Sequence, residues 1–302
     1  MSVAQAEARE IQLEAPSGLW HEAWRRLRGN PGAIVGFVIV GVFLFVAIFA
    51  PFVAPEDPRS GDLNRLGGSC CPGPSSDYWF GLDQQGRDVF SRVVYGARFS
   101  LLIGIVSVAV GLSVGLILGA LAGYLGGWVD SVIMRACDIM LSIPGLLLAI
   151  GLVAILGQGI WQIMVAVGVT QIPIFARLLR GSILAARESD YVLAARSVGV
   201  RGRSILASHI LPNSLSPVIV QGTLALATAI IDVAGLGFLG LGPQDPATPE
   251  WGTMLTDTTR YLQSAPHLAL IPGAAIVISV LGFNLIGDGL REALDPRFRG
   301  RA

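Results

Sequence analysis

The chain of 302 residues contains no lysine; all 21 of its basic residues are arginine. A phosphate-binding loop of the G-x-x-x-x-G-K-[ST] type needs that lysine, so it is absent, and lysine Schiff-base chemistry is excluded with it. If ATP drives this protein, other chains must hold the nucleotide and its Mg2+, and this chain is expected to carry no cofactor and no catalytic residue. Charge is scarce too: 14% of residues are charged, against about 25% in soluble domains. The formal net charge is zero, which leaves no basic footprint for nucleic acid. Three cysteines are too few for a disulfide scaffold. Cys70 and Cys71, adjacent in a polar stretch, are expected as two free thiols, the alternative being a strained vicinal disulfide. The three histidines are scattered, without metal-ligand spacing. A membrane-embedded enzyme finds no support: there is no His-Glu-x-x-His, no catalytic serine motif and no pair of acids on one helix.

What is abundant is apolar. Hydrophobic residues make up 53% of the chain, glycine contributes 38 residues and the mean hydropathy is +0.65. That combination points to closely packed transmembrane helices. The first long run, 32–54, exceeds the roughly 7–15 residues of a signal-peptide core and is long enough for a hydrocarbon layer of about 30 Å. Further runs lie at about 99–125, 136–157, 160–178, 215–241 and 268–288. The expected fold class is therefore all-α: a polytopic membrane protein with six transmembrane helices.

The first 31 residues are expected as a cytoplasmic tail. Within it Leu19, Trp20, Ala23, Trp24 and Leu27 recur at helical spacing beside Arg25, Arg26 and Arg28, the pattern of a helix lying on a membrane surface. Residues 55–97 form a polar insert, 98–290 the main transmembrane domain and 291–302 a second tail. With both termini inside, 15 of the 21 arginines face the cytoplasm, as the positive-inside rule requires. The chain thus reads as a multi-pass protein of a prokaryotic cytoplasmic membrane, in contact with lipid.

Span 2 repeats glycine every fourth residue, at Gly111, Gly115, Gly119 and Gly123 and on to Gly127. Such a face lets a neighbouring backbone approach closely. Pro144 and Pro173 interrupt spans 3 and 4, either as simple kinks or as hinges and cavity linings. Asp232 falls inside span 5, and an intramembrane acid is a functional candidate. It either pairs structurally or touches a substrate or proton, and the second case allows an ion-coupled secondary transporter.

The inner polar segment 190–212 carries the strongest signal. Asp190 suits an N-cap, Tyr191–Val198 a short helix with small residues Ala194 and Ala195, and Gly199 a left-handed C-cap. A second short helix over about 202–210 is expected to stop at Leu211-Pro212, with Asn213 capping the next span. Two short helices at a glycine turn, displaying Arg196, Arg201 and Arg203, suit docking into a groove on another protein; the alternative is a solvated basic loop.

This segment resembles the EAA loop of type I ABC-importer permeases, E-A-A-x3-G-x9-I-x-L-P. Ala194, Ala195, Gly199, Leu211 and Pro212 match, while Leu193 replaces the Glu and His209 the first Ile. Phe80–Asp88 resembles the F-G-T-D-x-x-G-R-D of the dipeptide/oligopeptide branch, in its DppC/OppC-like subunit, with Leu82 for Thr. The stretches 238–242, 249–252, 283–291 and 294–297 resemble that branch's F-L-G-L-G, P-x-W-G and C-terminal signatures. The acid usual five residues before F-L-G-L-G is Val233 here, with Asp232 beside it.

The resemblance implies a type I ABC-importer transmembrane fold and a permease that moves di- or oligopeptides inward by alternating access. It implies as partners a second permease subunit of DppB/OppB type, two ABC ATPase subunits of DppD/DppF type that bind ATP and Mg2+, and an extracytoplasmic peptide-binding protein. Coupling to the ATPases falls to Asp190, Tyr191, Ala194, Ala195, Arg196, Gly199, Arg203, Leu211 and Pro212. Asp232, Phe238, Pro144 and Pro173 are candidates for the substrate path. Trp79, Asp83, Arg87, Asp88 and Trp251 are candidates for contact with the binding protein or the partner permease. Relatives of this type also move nickel chelates, haem or other small solutes.

Overall fold

The glycine ladder of span 2 dictates how the bundle is built. A methyl group added at Gly111, Gly115 or Gly119 would lie 2.6 Å from Gln171 Cβ, Phe175 Cβ or the Ala176 carbonyl, all on one neighbouring helix. Glycine alone lets the two backbones meet so closely. Gly127 does not belong to the ladder: it stands at φ 56° as the first residue of the next helix, and a methyl group added there would meet nothing within 4 Å.

These relations come from a computed structural model that describes residues 19–67, 70–256 and 258–294. The expected tail ends at 1–18 and 295–302, including Asp295, Pro296 and Arg297, lie outside the described residues. The helices are α1 (Leu19–Gly29), α2 (Pro31–Ile48), α3 (Ala50–Val53), α4 (Val89–Leu125), α5 (Gly127–Leu141), α6 (Gly145–Leu156), α7 (Ile160–Arg187) and α8 (Asp190–Ser197). They continue with α9 (Gly202–Leu241), α10 (Trp251–Met254) and α11 (His267–Leu294). Among the described residues the extended pairing is confined to one isolated bridge, Leu82 with Asp88. Among the described residues five helices are long and apolar enough to cross a membrane, and α5 with α6 makes a sixth span if that bent pair counts as one.

Among the described residues the two largest hydrophobic cores hold the bundle. One joins α4, α7 and α9 around Ile103, Met164, Phe175, Leu179 and Ala229. The other joins α2, α4, α9 and α11 around Leu101, Ile230, Trp251, Phe283 and Ile286. Around them large apolar side chains such as Val38, Ile48, Ile117 and Val277 are exposed, as in helices solvated by lipid.

Several boundaries differ from the sequence expectation. Span 2 begins at Val89 and not near 99, because Asp88 caps it: its carboxylate accepts the Ser91 amide at 2.8 Å and the Ser91 hydroxyl at 2.6 Å. The helix then runs 37 residues, about 55 Å at 1.5 Å per residue. Its first turns therefore stand outside a 30 Å hydrocarbon layer. Span 3 is broken: α5 and α6 meet at 93°, where Pro144 in an extended conformation ends one helix and opens the next. Pro173, by contrast, does not interrupt α7, which continues through it to Arg187.

The second coupling helix also does not stop at Leu211-Pro212. It passes into span 5 through a π-helical turn, Leu206–Ile210, the wider winding by which a helix absorbs an irregularity. Asn213 caps nothing; its side-chain amide donates back to the His209 carbonyl at 2.7 Å. Cys70 and Cys71 are not free thiols but a vicinal disulfide. Cys71 takes φ 68° there, turning the chain so that the neighbouring side chains meet.

Candidate functional site: a docking loop and an outer strap

The loop between α7 and α9 is short, rigid and partly apolar on its free side. Ser189, not Asp190, is the N-cap of α8; Asp190 occupies the first turn, where a carboxylate faces the positive helix end. At the other end Gly199, at φ 78°, closes the helix. The Val200 amide reaches the Ala195 carbonyl at 3.1 Å and the Gly199 amide the Arg196 carbonyl at 3.0 Å, the paired bonds of a Schellman cap.

Val192 is fully buried and Ile205 nearly so, both within the α4/α7/α9 core. They pin the loop while Tyr191, Leu193 and Val198 remain exposed, Val198 at 78%. Ala194 and Arg196 are exposed, Ala195 half-buried, and Arg201 and Arg203 project outward. Leu211 is half-buried and Pro212 exposed in the root of α9. Arg187 ties this loop to the end of α4, donating to the Gly123 carbonyl at 2.9 Å. The site is thus a capped helix of two turns, fixed to the ends of α4 and α7 and offering small, apolar and basic side chains outward.

At the opposite end of α4 the outer insert folds back as a strap. Asp83 organises it: its carboxylate accepts the Arg87 and Gln85 amides at 3.0 and 2.9 Å, and Arg87 Nε at 2.6 Å. Arg92 Nε stands 3.5 Å from the same carboxylate, and Arg92 donates to the Pro58 carbonyl at 3.0 Å. Asp83 and Arg87 are therefore spent largely on each other, only 13% and 12% exposed in their side chains. Asp88 and Trp251 are buried within this chain, the first as a cap and the second in a slot over Gly96 with Nε1 donating to the Val93 carbonyl at 3.0 Å. Neither offers a face to another chain, which corrects that expectation. Trp79, 65% exposed, keeps one.

Beneath the strap lies a cavity of about 330 Å3, reached by Arg87, Arg92, Gln158, Gly240 and Thr256. Glu250, buried at the start of α10, caps that helix by accepting the Gly252 and Thr253 amides, each at 2.8 Å. Burial pushes the Glu250 carboxyl up from its ordinary range, against the opposing pull of those two amides and Ser100.

Of the path candidates, Asp232 is half-buried, Phe238 (44%) and Pro144 are exposed, and Pro173 is buried within α7. Phe238 sits in a π-helical turn, Gly237–Leu241, that ends with Gly240 at φ 77°. Sequence reasoning missed Glu250, Arg187 and the pairs Arg180–Asp130 and Arg177–Asp138 between α7 and α5. Their signal was arginine and aspartate recurring inside otherwise apolar runs.

A multi-span helical bundle with a rigid loop at one end and a folded strap at the other is the architecture of a membrane permease component. Comparison with known proteins makes this specific. Residues 115–300 match the family described as "Binding-protein-dependent transport system inner membrane component", and residues 18–66 match "N-terminal TM domain of oligopeptide transport permease C". The chain belongs to that first family, the multi-pass cytoplasmic-membrane components of ABC transporters.

It is 48% identical over 281 residues to the dipeptide transport system permease protein DppC of Alkalihalophilus pseudofirmus, covering 93% of this chain and 90% of that one. It is 49% identical over 282 residues to the glutathione transport system permease protein GsiD of Shigella flexneri serotype 5b, covering 93% and 91%. Among solved structures it resembles an inward-facing form of the MetNI methionine ABC transporter, with TM-score 0.55 and 21% identity, covering 68% of this chain and 97% of that chain.

Proposed function

We propose that this chain is one half of the pore of an ATP-driven importer that carries short peptides into the cell. A second permease subunit completes the pore, two ATPase subunits bind ATP and Mg2+, and an extracytoplasmic binding protein delivers the cargo. The observation that carries the reading is the α8 loop. Tyr191 and Leu193, with Val198 at the C-cap, stand exposed on a helix whose other face is locked into the core. A capped helix transmits displacement without bending. ATPase closure therefore shifts the permease between its states by its differential affinity for them.

The dipeptide and glutathione relatives support a peptide cargo. The absence of lysine supports the division of labour, since a phosphate-binding loop cannot be built here. Replacing Tyr191, Leu193 and Val198 together by Asp is expected to abolish co-purification of the ATPases while the two permeases still assemble. Retained ATPase binding sinks the docking role. Uptake of labelled di- and tripeptides by the complete complex tests the cargo.

A further inference from the structure

Two ion pairs tie α5 to α7, and they are unlike. Arg180 is bidentate on Asp130, Nε and Nη2 each at 2.6 Å from an oxygen, and both side chains are largely covered. Arg177 Nη2 meets Asp138 Oδ1 at 2.5 Å, yet the side chains are 51% and 57% exposed. Roughly 26 Å of helix separates Arg177 from Ile160 at about 1.5 Å per residue. In the orientation with both termini inside, the open pair therefore lies in the cytoplasmic half of the membrane.

A charged residue facing hydrocarbon is costly, and such residues face a bundle interior or a water-filled cavity. The backbone points the same way independently. The Ser142 amide donates to the Asp138 carbonyl at 3.0 Å, the chain then turns through 93°, and residues 141–147 are all exposed. Broken helix at membrane depth is tolerated where it is buried in protein or lines water. Pro173, one turn before Arg177 in α7, lacks the N–H of an ordinary helical residue. Asp138 thus sits one turn from the break in span 3, where a helix changes direction most readily, and Arg177 one turn from a proline.

We infer that Asp138 and Arg177 line the cytoplasmic half of the translocation path and form an exchangeable gate for zwitterionic cargo. The free ammonium of the cargo takes Asp138, its free carboxylate takes Arg177, and the pair re-forms once the cargo has passed. The exchange replaces one ion pair by two and leaves no charge unpaired, which an apolar passage requires. This role rests on the peptide reading above for the cargo, but not for the exposure of the pair to water.

The test uses the complete transporter in nanodiscs. In a C70S/C71S/C137A background, R177C is treated with a membrane-impermeant thiol reagent, with and without vanadate trapping. Labelling in one nucleotide state that is at least tenfold faster than in the other supports the placement of the pair on the path. No labelling in either state overturns it, as does labelling equally fast in both. In the native cysteine background R177Q is expected to assemble with its partners yet lose tenfold or more of dipeptide uptake, and R177K to retain most of it. An assembled R177Q complex with full uptake overturns the gate. If the unaltered complex takes up no dipeptide, the peptide reading itself fails, in an assay separate from the labelling.

Discussion

The hydroxyl of Ser100, on α4, donates to the carboxylate of Glu250 across 3.2 Å, although 150 residues separate them in the chain. The same hydroxyl oxygen accepts the Trp251 amide at 3.2 Å. A single serine thereby fastens the cap of α10 to the longest span, and Glu250, Trp251 and Ser100 form one buried polar knot.

Truncating Glu250 to alanine would leave the Gly252 and Thr253 amides without their acceptor in a buried site. Each orphaned donor costs about 1–3 kcal/mol. E250A is therefore expected to lower the melting temperature of the purified complex clearly, S100A less so. Equal melting temperatures for E250A and the unaltered protein would remove the knot from the account.

Burial also gives this knot a pH dependence. The folded carboxyl is raised above the ordinary 4.5, so the folded state holds its proton to higher pH than the unfolded chain. Below 4.5 the contribution to stability is intact; it is lost as pH rises toward the folded value. The stability advantage of E250Q over the native chain should accordingly grow as pH climbs from 4.5, read from paired melting curves. Parallel curves would show that the carboxyl ionises without penalty.

The α4–α7 seam makes a sharper steric prediction. At Gly115 an added Cβ meets Phe175 Cβ at 2.6 Å and the Ile172 carbonyl at 2.9 Å, and backbone cannot swing aside as a side chain can. Overpacking of this kind costs about 1–3 kcal/mol, occasionally more. G115V is expected to fall out of the membrane fraction or melt early. G41A, at a glycine with no neighbour within 4 Å, should behave as the native chain. A stable G115V would mean that the two helices part easily.

Gly199 tests rigidity without touching the docking surface. An L-residue held at φ 78° costs about 1–2 kcal/mol, which loosens the Schellman cap of α8. G199A should still bind the ATPases but couple poorly, with more ATP hydrolysed per peptide moved. An unchanged ratio would separate helix rigidity from coupling.

What the sequence showed and what it hid follows physical lines. Local, periodic signals came through: the glycine ladder from Gly111 to Gly123 and the left-handed Gly199 each depend on neighbours a few residues away. Proline was ambiguous, because its effect is decided by what surrounds it. Pro144 breaks a span, Pro173 is absorbed within one, and Pro212 enters α9 without stopping it because a π-helical turn widens the winding ahead of it. Contacts between distant segments were invisible. Asp138 and Arg177 are 39 residues apart, and nothing in either run announces the other. The outer motif was legible as a unit, but its spacing could not tell that Asp83 and Arg87 turn toward each other.

That inward turn changes what substitutions in the strap should do. Were Asp83 and Arg87 surface contacts, losing either would weaken one encounter and spare the fold. Instead Asp83 faces two guanidinium groups, Arg87 and the 4%-exposed Arg92, and holds two backbone amides besides. Removing one partner of a buried ion pair costs about 3–5 kcal/mol because the other charge stays behind unpaired. D83A strands Arg92 in that way, whereas R87A leaves Asp83 with Arg92 and both amides. D83A should thus be markedly less stable than R87A, measured as complex yield and melting temperature side by side. If R87A proved the more damaging, the strap would be held by the Arg87 bonds to Gln85 and the Pro246 carbonyl, with Asp83 secondary.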